Sequence, residues 1–211
     1  MTDSVRHIYI VRHGETDMNK AERLQGRIDC ELNDKGIADA RASYELFRAA
    51  GISFDKVYSS PLKRAVQTAE IISGGRQVCP EPLIIEMDFG SYEGVHYSGI
   101  DEPMWAFFHD PEHAPAPDGV EPTAHMTERT GRFIDRLLTE EDKNVLIVTH
   151  GIALRSLLWN LSPEEDRSKV WGAKITNCIV YHLTVINGEV ASVGYDDGLS
   201  VKVKGDTSGA F

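Results

Sequence analysis

"IYIVRHGETDMN", Ile8 to Asn19, sets four strand-forming residues directly against a basic pair, followed by a glycine, an acid and a threonine. Buried strands seldom end in adjacent cationic groups, because taking an unpaired charge out of water is costly. "NVLIVTHG", Asn144 to Gly151, repeats the arrangement: an apolar run, then histidine and glycine. A strand that is apolar throughout is one covered on both faces, and open parallel sheets collect ligands at the carboxyl ends of their strands. If these two strands are central neighbours, His13 and His150 share one pocket with Arg12 beside them. Either histidine alone would ordinarily be a satisfied core residue. Two strand-end His-Gly pairs weigh against that.

Working outward, strand-like and helix-like segments alternate. They predict an α/β fold: a three-layer sandwich with a mainly parallel central sheet flanked by helices. "NDKGIADARASYELFRAAG" reads as a helix capped by Asn33 or Asp34 and stopped at Gly51. "KVYSS" is a short strand, and Ser60 with Pro61 then suits the N-cap and first position of the next helix. "PLIIE", 82–86, reads as a third strand. Met126, Phe133 and Leu137 fall near helical spacing in "TAHMTERTGRFIDRLL". "GIALRSLLWNL" follows the Asn144 strand as a helix, and Asn187-Gly188 marks a hairpin turn. The whole is expected to be one domain over 1–203. A small insertion at about 92–122, rich in Pro, Gly, His and acids, would lie over the strand C-terminal ends, and a loose tail would occupy 204–211.

Lys and Arg number 22 against 33 Asp and Glu, a formal charge of -11. That balance disfavours nucleic acid and anionic membranes as partners. Any anionic ligand must be held by a local positive cluster against the field of the whole chain. Cys30, Cys79 and Cys178 are scattered without metal-ligand spacing, and no signal peptide or membrane-length apolar run is read, so a cytoplasmic location is expected.

Arg64, in "SSPLKRAVQTA", would sit in the first turn of its helix, at the end that favours anions. In order, "RHGETDMN", "SSPLKRAVQTA", "IEMDFGSYEG" and "VTHG" resemble the histidine phosphatase superfamily, also called the phosphoglycerate mutase-like family. The resemblance spans nearly the whole chain. It implies that His13 is a nucleophile forming a phosphohistidine, and that Arg12, Arg64 and His150 hold the phosphoryl oxygens. It further implies that Glu86 is the proton donor, with Asp88, Glu93 and Glu15 as rivals. Asn19, Gln25, Gly26 and Gly151 would bind substrate. Arg23 and Arg27 are either substrate contacts or exposed loop residues.

No metal and no cofactor are implied, because the spacing of His96, His109, His113 and His125 marks no metal site. Trp105, Phe107 and Phe108 are expected to pack the insertion onto the domain, with their aromatic edge available to shape a pocket. Gly94 to Thr127 contains no Lys or Arg, whereas mutases of the family carry extra basic residues in this segment. The reading is therefore a phosphatase acting on small phosphorylated metabolites. The alternatives are cofactor-dependent mutase chemistry and a non-catalytic phosphate-binding domain. A homodimer is compatible with this reading.

Overall fold

The computed structural model describes residues 4–164, 167–196 and 201–203. The tail expected at 204–211 lies outside them. The strands are β1 (Val5–Arg12), β2 (Lys56–Ser59), β3 (Cys79–Pro80), β4 (Asn144–Thr149), β5 (Val180–Ile186), β6 (Glu189–Asp196) and β7 (Val201–Val203). They form one sheet in the order β3-β2-β4-β1-β5-β6-β7. Pairing is parallel from β3 through β2 and β4 to β1, and antiparallel from β1 outward to β7.

The helices are α1 (Asp17–Lys20), α2 (Asp34–Ala49), α3 (Lys63–Ile72), α4 (Glu102–His109), α5 (Thr123–Leu138), α6 (Gly151–Leu161) and α7 (Arg167–Trp171). Side chains alternate across a strand, so β1 feeds two cores. Ile8 and Ile10 pack with Phe133 and Leu137 of α5 and with Leu154 and Leu157 of α6. Tyr9 and Val11 pack with Ala40 and Phe47 of α2 and with Ala65 and Ala69 of α3. The expected three layers are present, and the two His-Gly strands are adjacent. Arg12 stands opposite Thr149 in the register, so both chains leave the sheet at the same level.

Two local readings need correction. Residues 82–86 are not a strand: β3 ends at Pro80, and Pro82–Ile84 forms a 3-10 turn. Pro82 has no N–H to give a ladder, and the Glu81 carboxylate accepts the Leu83 N–H instead (2.9 Å). Ser60 is not the cap of α3, which begins at Lys63. Its hydroxyl is fully buried against His150 Nε2 (2.7 Å), and the Lys63 N–H is met by Asp29 Oδ1 (2.8 Å).

The insertion packs on its neighbours. Ile100, Met104, Phe107 and Val120 share a cluster with Leu24, Met87, Met126 and Ala153. Glu112 Oε1 accepts from the indole N–H groups of Trp159 (2.6 Å) and Trp171 (2.8 Å), tying the segment to α6 and α7. The hairpin turn is as read, with Asn187 and Gly188 both at positive φ, 53° and 84°.

The loop after β1 is held by a close backbone approach to α2. A Cβ on Gly36 would meet the Glu15 carbonyl oxygen at 2.1 Å, and one on Gly14 would meet the Gly36 oxygen at 2.6 Å. Gly36→Ala should therefore destabilise the fold by about 2 kcal/mol through overpacking. Urea unfolding should show the midpoint falling at unchanged slope; an unchanged midpoint would mean that the loop yields freely.

Candidate active site

A cavity of about 390 Å³ opens where β1 and β4 end. Arg12, His13, Asn19, Gln25, Gly26, Arg64, Glu86 and Gly151 all stand on its wall. Of the nine residues singled out from sequence, His150 alone is off the wall. It is fully buried behind His13, with ring centroids 5.1 Å apart.

His13 Nδ1 lies 2.7 Å from the Gly14 carbonyl oxygen. A carbonyl only accepts, so Nδ1 carries the proton and Nε2 keeps its lone pair. Burial, then the charges of Arg64 and Arg12, hold His13 well below its ordinary pKa of 6.5. The imidazole is neutral at pH 7, and a neutral imidazole is a nucleophile. His150 is likewise held well below 6.5, first by burial and then by Arg64, His13 and Arg12. Its Nδ1 is buried without a hydrogen-bond partner, as is Arg12 Nε.

Arg64 is 1% exposed. Its Nη2 and Nη1 donate to the carbonyls of Gly26 and Ile28 (both 2.7 Å), and its Nε points at His13 Nε2 (3.3 Å). Gly26 can present that carbonyl because it sits at φ 51°, where a Cβ would collide with the Glu93 carboxylate at 2.1 Å. Arg12 is fixed by the Ile175 carbonyl (2.6 Å), while Asn177 Nδ2 donates to the His13 carbonyl (2.9 Å). Asn19 Oδ1 is occupied by the Thr16 N–H and hydroxyl, which leaves its amide N–H groups for the cavity.

Glu86 is 7% exposed. Its Oε1 accepts from the N–H groups of Met87 (2.9 Å) and Ala153 (3.0 Å), and its Oε2 from that of Ile152 (3.2 Å). The rival carboxylates are placed elsewhere. Asp88 pairs with Arg27 (3.2 Å), Glu93 Oε1 accepts the Arg27 and Phe89 N–H groups, and Glu15 accepts from Asn33. Arg27 also bridges to Glu121, and Arg23 donates to the Gly94 carbonyl; neither is on the cavity wall. His109 bonds the Trp105 carbonyl, His113 pairs with Asp110, and His125 with Glu121. Among the described residues no three His, Cys, Asp or Glu side chains cluster as a metal site.

Eight further residues line the wall, and four of them bear most on its chemistry. Arg155 lies one helical turn beyond Gly151, the spacing that returns a side chain to the same face. Tyr97 sits in the insertion, where no periodicity singles it out. Trp105 and Phe108 line the cavity, whereas Phe107 has the packing role expected of all three.

The chain matches the histidine phosphatase superfamily (branch 1) over residues 8–198 and belongs to that family. It is 32% identical over 188 residues to the metal-independent phosphoserine phosphatase of Arabidopsis thaliana, covering 85% of this chain and 77% of that one. It is 36% identical over 161 residues to the adenosylcobalamin/alpha-ribazole phosphatase of Salmonella typhimurium, covering 73% and 78%. The crystal structure of the alpha-ribazole phosphatase from Shigella flexneri superposes with a TM-score of 0.75 at 28% identity, covering 93% of this chain and 95% of that one.

A histidine kept neutral by the fold makes stability depend on pH. Because His13 and His150 are both lowered, the unfolded chain binds protons below about pH 6.5 that the native state refuses. Stability should fall as pH drops from that point, by about 1.4 kcal/mol per pH unit for each histidine. Thermal melts from pH 7.5 to 5 should show a steeper loss in the parent than in a His13→Asn/His150→Asn variant; equal slopes would contradict the assignment.

Proposed function

We propose that the protein is a phosphatase that hydrolyses small phosphomonoesters through a phosphohistidine on His13. The observation that carries this reading is the neutral His13 ring, whose Nε2 faces the Arg64 Nε–H (3.3 Å), with the Nε of Arg12 and the Nδ1 of His150 buried without hydrogen-bond partners. Unsatisfied buried polar atoms are rare in native proteins. A phosphoryl group at His13 would give the Arg12 Nε on the cavity wall its partner.

In the first step, His13 Nε2 forms a bond to phosphorus as the P–O bond to the alcohol breaks, and Glu86 protonates the departing oxygen. In the second, Glu86 takes a proton from water, which attacks phosphorus, releases phosphate and restores His13. Phosphoryl transfer asks mainly for positioning and for charge on the equatorial oxygens, which Arg12, Arg64, Asn19 and the Gly151 N–H supply. Three main-chain N–H groups fix the Glu86 carboxyl on the cavity wall that His13 shares. Gln25 and Gly26 shape the opposite wall.

No step needs a metal, in keeping with the relative named metal-independent. The unpaired state of Cys30, Cys79 and Cys178 supports a reducing compartment such as the cytoplasm. Among the described residues no helix is long and apolar enough to cross a membrane. The shared cluster under the insertion supports its reading as a cap on one domain over 1–203.

Phosphate release from a panel of phosphomonoesters should be abolished in His13→Ala and should survive EDTA. Activity in His13→Ala would overturn the mechanism, and loss to EDTA restored by added metal would overturn metal independence. Isomerisation of 3-phosphoglycerate without release would restore the mutase alternative. Glu86→Gln should slow alkyl phosphates by about 10²–10⁴-fold and aryl phosphates, whose alcohols leave without help, much less. An equal loss on both would remove Glu86 as the acid.

A further inference from the structure

We propose that the cavity selects phosphomonoesters whose alcohol is a bulky, uncharged, apolar or aromatic group seated against Tyr97, Trp105 and Phe108. The proposal rests on the phosphatase reading and names its substrate class.

The cavity is divided by chemistry. Its cations gather at one end: a Cβ on Gly151 would lie 3.8 Å from Arg155 Nη1, 3.9 Å from Arg12 Nε and 3.9 Å from Glu86 Oε2. Arg64 completes that end against His13. Apart from Asn19, Gln25 and Gly26, the rest of the wall is largely apolar, with Leu24, Phe89, Tyr97, Trp105, Phe108 and Ile175. Phe108 meets Phe89 and Trp105 edge to face, with centroids 5.8 and 6.0 Å apart. Tyr97 and Trp105 remain 40% and 39% exposed, among the few large apolar side chains left so. Aromatic surface in a concavity is covered favourably only by an apolar group.

A substrate with a second anionic group would need a second cation away from the phosphate, and the wall offers none: its arginines, Arg12, Arg64 and Arg155, all stand at the phosphate end. Arg155 spends Nε, Nη1 and Nη2 on the carbonyls of Trp171, Gly151 and Ala173 (3.1, 3.3 and 2.6 Å). Arg27 is held by Asp88 and Glu121, and Arg23 by the Gly94 carbonyl. Gly94 to Thr127, which forms this wall, has no Lys or Arg. Room for a long substituent exists as well. Behind Phe108, Ile152 and Arg155 lies a further cavity of about 180 Å³, lined also by Met87, Phe107 and Trp171.

The test is a series of alkyl phosphates whose alcohols have nearly equal acidity, so that chemistry stays constant while apolar area grows. From ethyl to hexyl phosphate, kcat/KM should rise about two- to fourfold per methylene, and 3-phenylpropyl phosphate should exceed both O-phosphoserine and 3-phosphoglycerate. Trp105→Ala should reduce the ratio of 3-phenylpropyl to ethyl phosphate about tenfold. A flat series, or higher kcat/KM for the two acids, would overturn the proposal while leaving the phosphatase intact. Binding of unreactive phosphonates reads the wall without turnover. Preference for 3-phenylpropylphosphonate over 3-phosphonopropionate, with no ester hydrolysed, would uphold the wall and sink the phosphatase; the reverse preference would sink the wall.

Discussion

Four basic side chains share one desolvated space where β1 and β4 end, and the surrounding structure is arranged to make that tolerable. The β1–β4 register puts Arg12 and Thr149 level, so His13 and His150 are forced together. Burial keeps both imidazoles neutral and removes two of the four charges. The arginines are met by main-chain carbonyls: Gly26 and Ile28 for Arg64, Ile175 for Arg12. Carbonyl dipoles solvate a guanidinium without neutralising it, so the net field at His13 stays positive. A carboxylate in either place would have filled the site with its own counter-ion. That choice lets a chain of net charge -11 attract an anion to one spot.

The Glu86 side of the cavity is braced differently. Glu86 lies in no regular element, and its position comes from side chains around it. Thr149 Oγ1 donates to the Ile84 carbonyl (2.7 Å), and Arg129 donates to the carbonyls of Leu83 and Glu86 (2.6 and 3.3 Å). Arg129 and Arg27 converge on Glu121. Burial alone would raise the Glu121 carboxyl, but the hydrogen bond and charge of Arg129, then the charge of Arg27, outweigh it and hold it below its ordinary value. This ion cluster therefore fixes a backbone segment that has no ladder to hold it.

How far the sequence disclosed this follows from which interactions are local. β1, β4 and α5 have apolar periods long enough to be read, and Arg12, His13 and His150 were legible because they stand at the ends of the two strands, whereas Glu86, Asn19, Gln25 and Gly26 were reached through the family resemblance alone. "PLIIE" misled because an apolar run says nothing about hydrogen bonds, and Pro82 with the Glu81 carboxylate turns the chain instead. Ser60 has the chemistry of a helix cap, but its hydroxyl is claimed by His150, 90 residues away. Arg155 has only its spacing from Gly151 to mark it, and Tyr97 has nothing that separates a wall residue from a surface one. Their places depend on how the insertion and α6 meet, which is a property of packing.

The insertion is stapled at three points. Near its start, Gly94 and Val95 exchange main-chain hydrogen bonds with Leu24. In its middle Glu112 holds two indoles, and at its end Glu121 joins the arginine pair. Between the first two staples runs the stretch from Tyr97 to His109, which supplies much of the cavity wall yet none of the groups around His13. Ile100, Met104 and Phe107 there are locked into the buried cluster, whereas Tyr97 and Trp105 stand exposed and can change without repacking it. One scaffold can thus diverge toward new ligands by drift in a few wall positions, with the buried cluster beneath them left as it is.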